Sequence, residues 1–342
     1  MNWHSIVTLP RGKPSWLRAA GFSKTSGSPE AAPFGIRTMR RQKQTGHIGK
    51  QRVDVLQHLG DSLDAQWRHY RKRLRRCQNH FSEEAVHASR VETRRLLATL
   101  ELLGAFLPDR DLRKARRPLK RHLDTFDQLR DTQVQLNYVG RMAGTFPDAR
   151  PFYDWLRERQ KRFTRKTRKA VKRIKTKRVG RRLAAFQKEI RRQRKKLPRA
   201  MAFAILQRTI NRAFARVAQL CRRVRAGDTG TIHRTRIAFK RFRYMVEAMA
   251  PLLPAVTQEH YRAMRGYQCM MGDIQDMEIL LAALNKFLRS KVVDASSARR
   301  LNEELMRWRQ MLIQVYLNAA NRLLRFWPPP EPQKPITSHT RL

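Results

Sequence analysis

One pattern restricts this chain more than any other: a stripe of histidine and cations that is written twice. The first copy runs His87, Arg90, Arg94, Arg95, Glu101. The second runs His233, Arg236, Lys240, Arg241, Glu247, with the same internal spacing. A further signature follows each stripe in the same order, Asp127-Gln-Leu-Arg130-Asp131 after the first and Gly272-Asp-Ile-Gln275-Asp276 after the second. Two features repeated in order at nearly one offset indicate a tandem duplication of a large helical unit.

The spacing is helical. At about 100° per residue, His87, Arg90, Arg94, Ala98 and Glu101 share one face, and so do His233, Arg236, Lys240, Arg243, Tyr244 and Glu247. Leu96, Leu100, Leu103 and Leu107 fall on the other side of the first helix. Phe239, Phe242, Val246, Met249 and Leu253 do so in the second. Each helix therefore has one side for a core and one side of histidine and cations. A charged helix face is usually only solvated surface, but solubility does not require the same cations in the same order twice. Ser82 before Glu83 and Glu84 is a capping start for the first stripe helix, and Thr229 or Thr231 is expected to cap the second. Both histidines then sit near helix N-termini, where unpaired backbone N–H groups favour an anion.

Charge gives the same direction. With 75 Lys and Arg against 27 Asp and Glu, the net charge is +48, which repels itself without a polyanionic partner. Arginine predominates, and its forked donors suit phosphate oxygens. Cys77, Cys221 and Cys269 form no close pair and no metal-ligand spacing, which fits buried thiols in a reducing cytoplasm. His58, His69 and His80 recur evenly, but their intervals are too long for a compact ligand set. No apolar run is long enough to span a membrane.

Along the chain, residues 1–50 are basic, rich in Pro, Gly and Ser, and without periodicity, as in a disordered arm. Periodicity places four helices in residues 51–197 and four in 198–327, with Pro198 between the halves and a Pro-rich tail at 328–342. Pro118 is expected to kink the third helix and Gly180 to interrupt the fourth. That fourth helix is the most basic stretch, and its cations, with Arg165, Lys169 and Lys172 on one face, are expected to extend the surface that binds the polyanion. Asp131, Asp276, Glu101 and Glu247 cannot themselves attract a polyanion, so their expected role is to hold stripe cations in place.

The stretches Val86-His-Ala-Ser-Arg-Val-Glu-Thr-Arg-Arg-Leu96 and Ile232-His-Arg-Thr-Arg-Ile-Ala-Phe-Lys-Arg-Phe-Arg-Tyr244 resemble the two signature helices of the conserved-histidine α-helical domain, the CHAD family. Leu129-Arg-Asp131 and Gly272-Asp-Ile-Gln-Asp276 resemble its later signatures. The likeness runs over roughly residues 51 to 327. It implies an all-α fold of two pseudo-symmetric four-helix bundles around a basic groove or channel, and binding of inorganic polyphosphate without catalysis. The residues it marks for that ligand are His87, Arg90, Arg94, Arg95, Arg130, His233, Arg236, Lys240, Arg241, Arg243 and Tyr244. Association with polyphosphate granules is a family-level expectation. The chain departs from the pattern in two places. Leu97 and Ala98 stand where the second copy has Arg243 and Tyr244, and Asp127 stands where the family favours a glycine, as at Gly272.

No Gly-rich phosphate loop, paired cysteines or His-Glu-x-x-His stretch is present, so neither an enzyme nor a cofactor is expected. The rival to polyphosphate is nucleic acid, which so basic a chain would bind nonspecifically at low salt. Against it, no RNA-module signature or groove-reading element is found. A polyphosphate-processing enzyme, using His87 or His233 as acid or phospho-acceptor, is the third reading.

Overall fold

The computed structural model describes residues 54–291 and 293–328; the expectations for the N-terminal arm and for the tail beyond Pro328 lie outside them. Ten α-helices are found among the described residues: α1 (Val55–Asn79), α2 (Glu83–Leu102), α3 (Asp109–Asp124), α4 (Asp127–Ala143), α5 (Arg150–Lys172), α6 (Lys177–Lys196), α7 (Arg199–Cys221), α8 (Thr229–Ala248), α9 (Gln258–Ser290) and α10 (Ala295–Ala319). A 3-10 segment, Ala320–Phe326, follows, and no strand occurs among these residues.

The second half keeps its four expected helices, whereas the first half has six. α3 runs straight through Pro118, and the chain breaks instead at Thr125–Phe126. There Phe126 drops into the core, and Thr125 Oγ1 donates to the carbonyl of Arg121, occupying one of the acceptors that the helix end frees. The most basic stretch is interrupted between α5 and α6 at Arg173–Thr176, before Gly180. Gln78 stabilises this break by donating from Nε2 to the carbonyls of Val171 and Ile174, at 3.1 and 3.2 Å. Gly180 lies inside α6 for a packing reason: a Cβ there would stand 3.1 Å from Trp67 Cζ2.

Helix starts follow local chemistry. Ser82 caps α2, accepting from the Ala85 N–H at 3.2 Å. The cap of α8 is Asp228 rather than either threonine, because its carboxylate accepts from the Gly230 N–H at 2.9 Å. Thr231 is used one step inside, donating to the Asp228 carbonyl and accepting from the Arg225 N–H.

Apolar side chains gather in two clusters, and neither respects the chain boundary at Pro198. The larger one takes Leu63 and Leu74 from α1, Leu96 and Leu100 from α2, Leu183 and Phe186 from α6, Phe214 from α7, Phe239 and Phe242 from α8, and Tyr267 and Met271 from α9. The other joins Val139 of α4 and Phe152 of α5 to Leu280 and Phe287 of α9 and Leu305 and Trp308 of α10. α9 belongs to both. Its 33 residues make a rod about 50 Å long at 1.5 Å per residue, long enough to serve one cluster with each end. Each cluster thus combines helices that precede Pro198 with helices that follow it.

Phe239 is fully buried in the larger cluster, against Phe242, Tyr267 and Phe326. Phe239→Ala is expected to lower folding stability by about 3–5 kcal/mol, read as a shift in the urea unfolding midpoint at unchanged slope.

Candidate functional site

The two stripe helices, α2 and α8, pack against each other. Their leucines and phenylalanines face the larger core, so their cationic faces are left side by side. Between them, α3 and the start of α4 lies a cleft of about 1150 Å³. Arg90, Arg94 and Glu101 of α2 line it, with His233, Arg236, Lys240, Arg241 and Tyr244 of α8. Asp127 and Asp131 of α4 and Gln275 and Asp276 of α9 complete the inner part.

The marked residues sort into two groups by what they touch. Several are already engaged. Arg90 Nη1 donates to Asp127 Oδ1 at 2.8 Å, Arg95 to Glu92 at 2.8 Å, and Arg130 to Glu83 at 3.4 Å. Glu101 accepts from Arg241 across the cleft and from Arg116 of α3. Arg243 is buried, paired with Glu247 and Gln268 and lying over the Tyr244 ring, so it braces α8 and does not line the cleft. Glu247 also takes Arg265 of α9. The second group is Arg94, Arg236 and Lys240, which make no hydrogen bond or ion pair with any described residue. Arg236 Nε and His233 Nδ1 are buried without a partner.

His87 lies beside the cleft rather than in its lining. Burial, then Arg130, Arg94 and Arg90, hold its imidazole below the usual histidine range, so it is neutral near pH 7 and can accept or donate one hydrogen bond. Arg94 is also among the charges felt by Arg236 and Lys240, so the two stripes meet in one electrostatic neighbourhood. Lys240 is pushed down to about 6, by burial first and then by Arg94, Arg236 and Arg90. Asp131 and Asp276 form no close ion pair among the described residues. Burial raises both carboxyls, Asp131 to about 6 with Asp127 adding to the rise. Asp273 is raised to about 7 by burial and by Asp276, and accepts from the Tyr138 hydroxyl at 3.4 Å.

Arg165, Lys169 and Lys172 are exposed on α5 and are not part of the cleft lining. The cations that the repeat did not reveal are on α3: Arg110, Arg113, Lys114, Arg116, Arg117 and Lys120 form the wall opposite α8. The signal was in the sequence, since the thin apolar line Leu112, Ala115, Leu119 leaves the rest of α3 to cations. The corresponding part of the second half, the start of α9, lacks that density, so a repeated pattern does not mark it. His58, from the evenly spaced trio, is used structurally, its Nε2 lying 2.9 Å from the Ala248 carbonyl. No group of three or more His, Cys, Asp or Glu among the described residues could hold a metal ion. No helix among them is long and apolar enough to cross a membrane.

Comparison with known proteins identifies the family and the fold. The CHAD domain family matches residues 61–285. Among solved structures, the chain resembles the crystal structure of the CHAD domain from the plant Ricinus communis, with a TM-score of 0.60 and 19% identity over 82% of this chain and 97% of that one. It also resembles PptA from Streptomyces chartreusis, with a TM-score of 0.59 and 17% identity over 80% of this chain and 99% of that one. A search of curated proteins gives no match.

The cleft's charges predict proton-linked anion binding. A bound polyanion favours the charged form of Lys240 and the neutral forms of Asp131 and Asp273, so all three shifts take up protons. Affinity for long-chain polyphosphate, whose internal units do not titrate here, is expected to fall as pH rises from about 6 to 8. Calorimetry in two buffers of different ionisation enthalpy should show proton uptake at pH 7, reduced in Lys240→Arg.

Proposed function

Because this chain belongs to the CHAD domain family, we propose that it binds inorganic polyphosphate in the cleft between α2, α3 and α8, as a binding protein rather than an enzyme. The observation that carries this reading is the set of cleft residues with no hydrogen bond or ion pair to any described residue, Arg94, Arg236 and Lys240, lying beside the α3 wall of Arg110, Arg113, Lys114, Arg117 and Lys120. Cations held this close, partly out of water, repel one another and are stabilised by an anion placed among them. A polymer carrying a negative charge on every unit supplies many such anions along one line.

The alternative polyanions fit less well. Single-stranded nucleic acid is usually held by aromatic platforms on which bases stack. Tyr244 is the one aromatic side chain in the cleft lining, with the Arg243 guanidinium over its ring, so a row of stacking platforms is not found among the described residues there. α6 presents its apolar side, Val179, Leu183, Phe186 and Ile190, to the core, so its many cations are not the polar face of a membrane-surface helix. The wider basic surface of α5 and α6 then extends the attraction for a long polymer. Recruitment to polyphosphate granules follows from such binding.

Catalysis is not part of the proposal. The histidines have no neighbouring carboxylate to orient them, and their surroundings suit a hydrogen bond to a phosphate oxygen.

Replacing Arg94 and Arg236 together by alanine is expected to weaken long-chain polyphosphate binding by about 2–6 kcal/mol, at about 1–3 kcal/mol per charge-assisted bond. Replacing the exposed Arg299 and Arg322 should cost far less, as fluorescence polarisation would read. Equal losses from the two pairs would mean that total charge matters and the cleft does not. In the same assay at near-physiological salt, tRNA and duplex DNA should compete poorly at equal phosphate. Incubation with the polymer and a divalent metal should release no orthophosphate.

A further inference from the structure

The two stripes are alike in sequence but not in what the fold does to them. Arg90 and Arg236 occupy the same position in their respective copies, and each faces the first residue of the signature that follows. In the first copy that residue is Asp127, and its carboxylate takes Arg90 Nη1 at 2.8 Å. In the second copy it is Gly272, and the space a Cβ would fill lies 3.9 Å from Arg236 Nε. Asp276, Asp131 and Asp273 act on the Arg236 charge from a distance, but no carboxylate among the described residues is hydrogen-bonded to it as Asp127 is to Arg90. Arg236 Nε is buried and unpartnered, and so is His233 Nδ1 one turn before it.

A buried guanidinium N–H without an acceptor carries a desolvation penalty that an incoming oxygen anion removes. Arg90 is desolvated as well, but its Nη1 already has an acceptor in Asp127. A phosphate approaching Arg90 must compete with a carboxylate that is covalently part of the protein and therefore at high effective concentration. Asp127 is also half exposed, with 49% of its side-chain surface in solvent, so it can be displaced without breaking the core.

We propose that Asp127 is a built-in occupant of the Arg90 position, so that a phosphoanion seats first on Arg236, Lys240, Arg94 and His233 and reaches Arg90 only by displacing that carboxylate. This rests on the cleft being the polyphosphate site. It goes further by giving the site a strong end and a gated end. A short oligophosphate then occupies the second-copy end, and only a longer polymer, held along the cleft, displaces Asp127.

The test is an exchange of the two signature residues. Asp127→Ala, with Asp127→Asn as its isosteric companion, is expected to raise affinity for tripolyphosphate about three- to tenfold, since it removes a competing charge from the cleft. Gly272→Asp has room for its Cβ and is expected to lower affinity at least tenfold, and to do so well beyond Gly272→Asn, which adds the bulk without the charge. Arg236→Ala should weaken tripolyphosphate binding at least five times more than Arg90→Ala. Calorimetric titrations with tripolyphosphate and with long-chain polymer, on variants whose thermal unfolding matches the parent, give all four comparisons. If both Asp127 variants bind more weakly than the parent, Asp127 positions Arg90 for the ligand and the proposal is overturned. Equal losses from Arg90→Ala and Arg236→Ala overturn it too. Failure of the parent protein to bind either polyphosphate would instead remove the functional reading on which the inference rests.

Discussion

Like charges held together in a partly dry cleft are the constraint on which the rest of this structure depends. Burial first, and then the nearby charges of Arg94 and Arg236, weaken the hold of Lys240 on its proton, and burial with Arg94 does the same to Arg236. Such a cluster is unfavourable for folding, so it persists only where the surrounding scaffold fixes the helices independently of it. Two apolar clusters supply that fixation. Leucine, phenylalanine and methionine side chains hold α2 against α8, and the stripes are carried along on the opposite faces.

The acidic residues moderate this repulsion at selected points. Glu101 holds Arg241 and Arg116 together where the three helices meet, and Glu247 fixes Arg243 against α8. These engaged cations are mainly structural, and they border the free ones. Asp131, Asp273 and Asp276 have a different role. They make no close ion pair among the described residues, and burial pushes their carboxyls upward against the pull of Arg90, Arg130, Arg236 and Lys240.

α9 explains how one chain keeps two clusters in register. Its N-terminal half packs into the larger cluster with Tyr261, Met264, Tyr267 and Met271, and its C-terminal half into the other with Met277, Leu280, Leu284 and Phe287. The equivalent part of the first half is broken between α3 and α4. That break frees α3 to bring its cations to the cleft as a separate wall. The two halves therefore differ most in the element that forms this wall of the cleft, while the stripe helices share their length and the position of each histidine, at the fifth residue.

The sequence by itself determined the helical class, the two stripes and the face each presents, because these follow from a 3.6-residue period and local capping chemistry. It also determined that the large side chains opposite the stripes would be buried, as Leu96, Leu100, Phe239 and Phe242 are. Only the tertiary structure decided which stripe cations are free. Arg90 and Arg236 look identical in the sequence, but the first meets Asp127 and the second a glycine. Arg243 shares the stripe's helical face, yet Glu247 and Gln268 claim it for the interior. The reason is physical: periodicity fixes the direction of a side chain about its own helix axis, whereas its partner is set by packing against helices far away in the chain. The mixing of both halves in each core was invisible for the same reason, and although the sequence shows that α3 is left to cations, their place as a wall of the cleft depends on where the helix breaks and what it then rests upon.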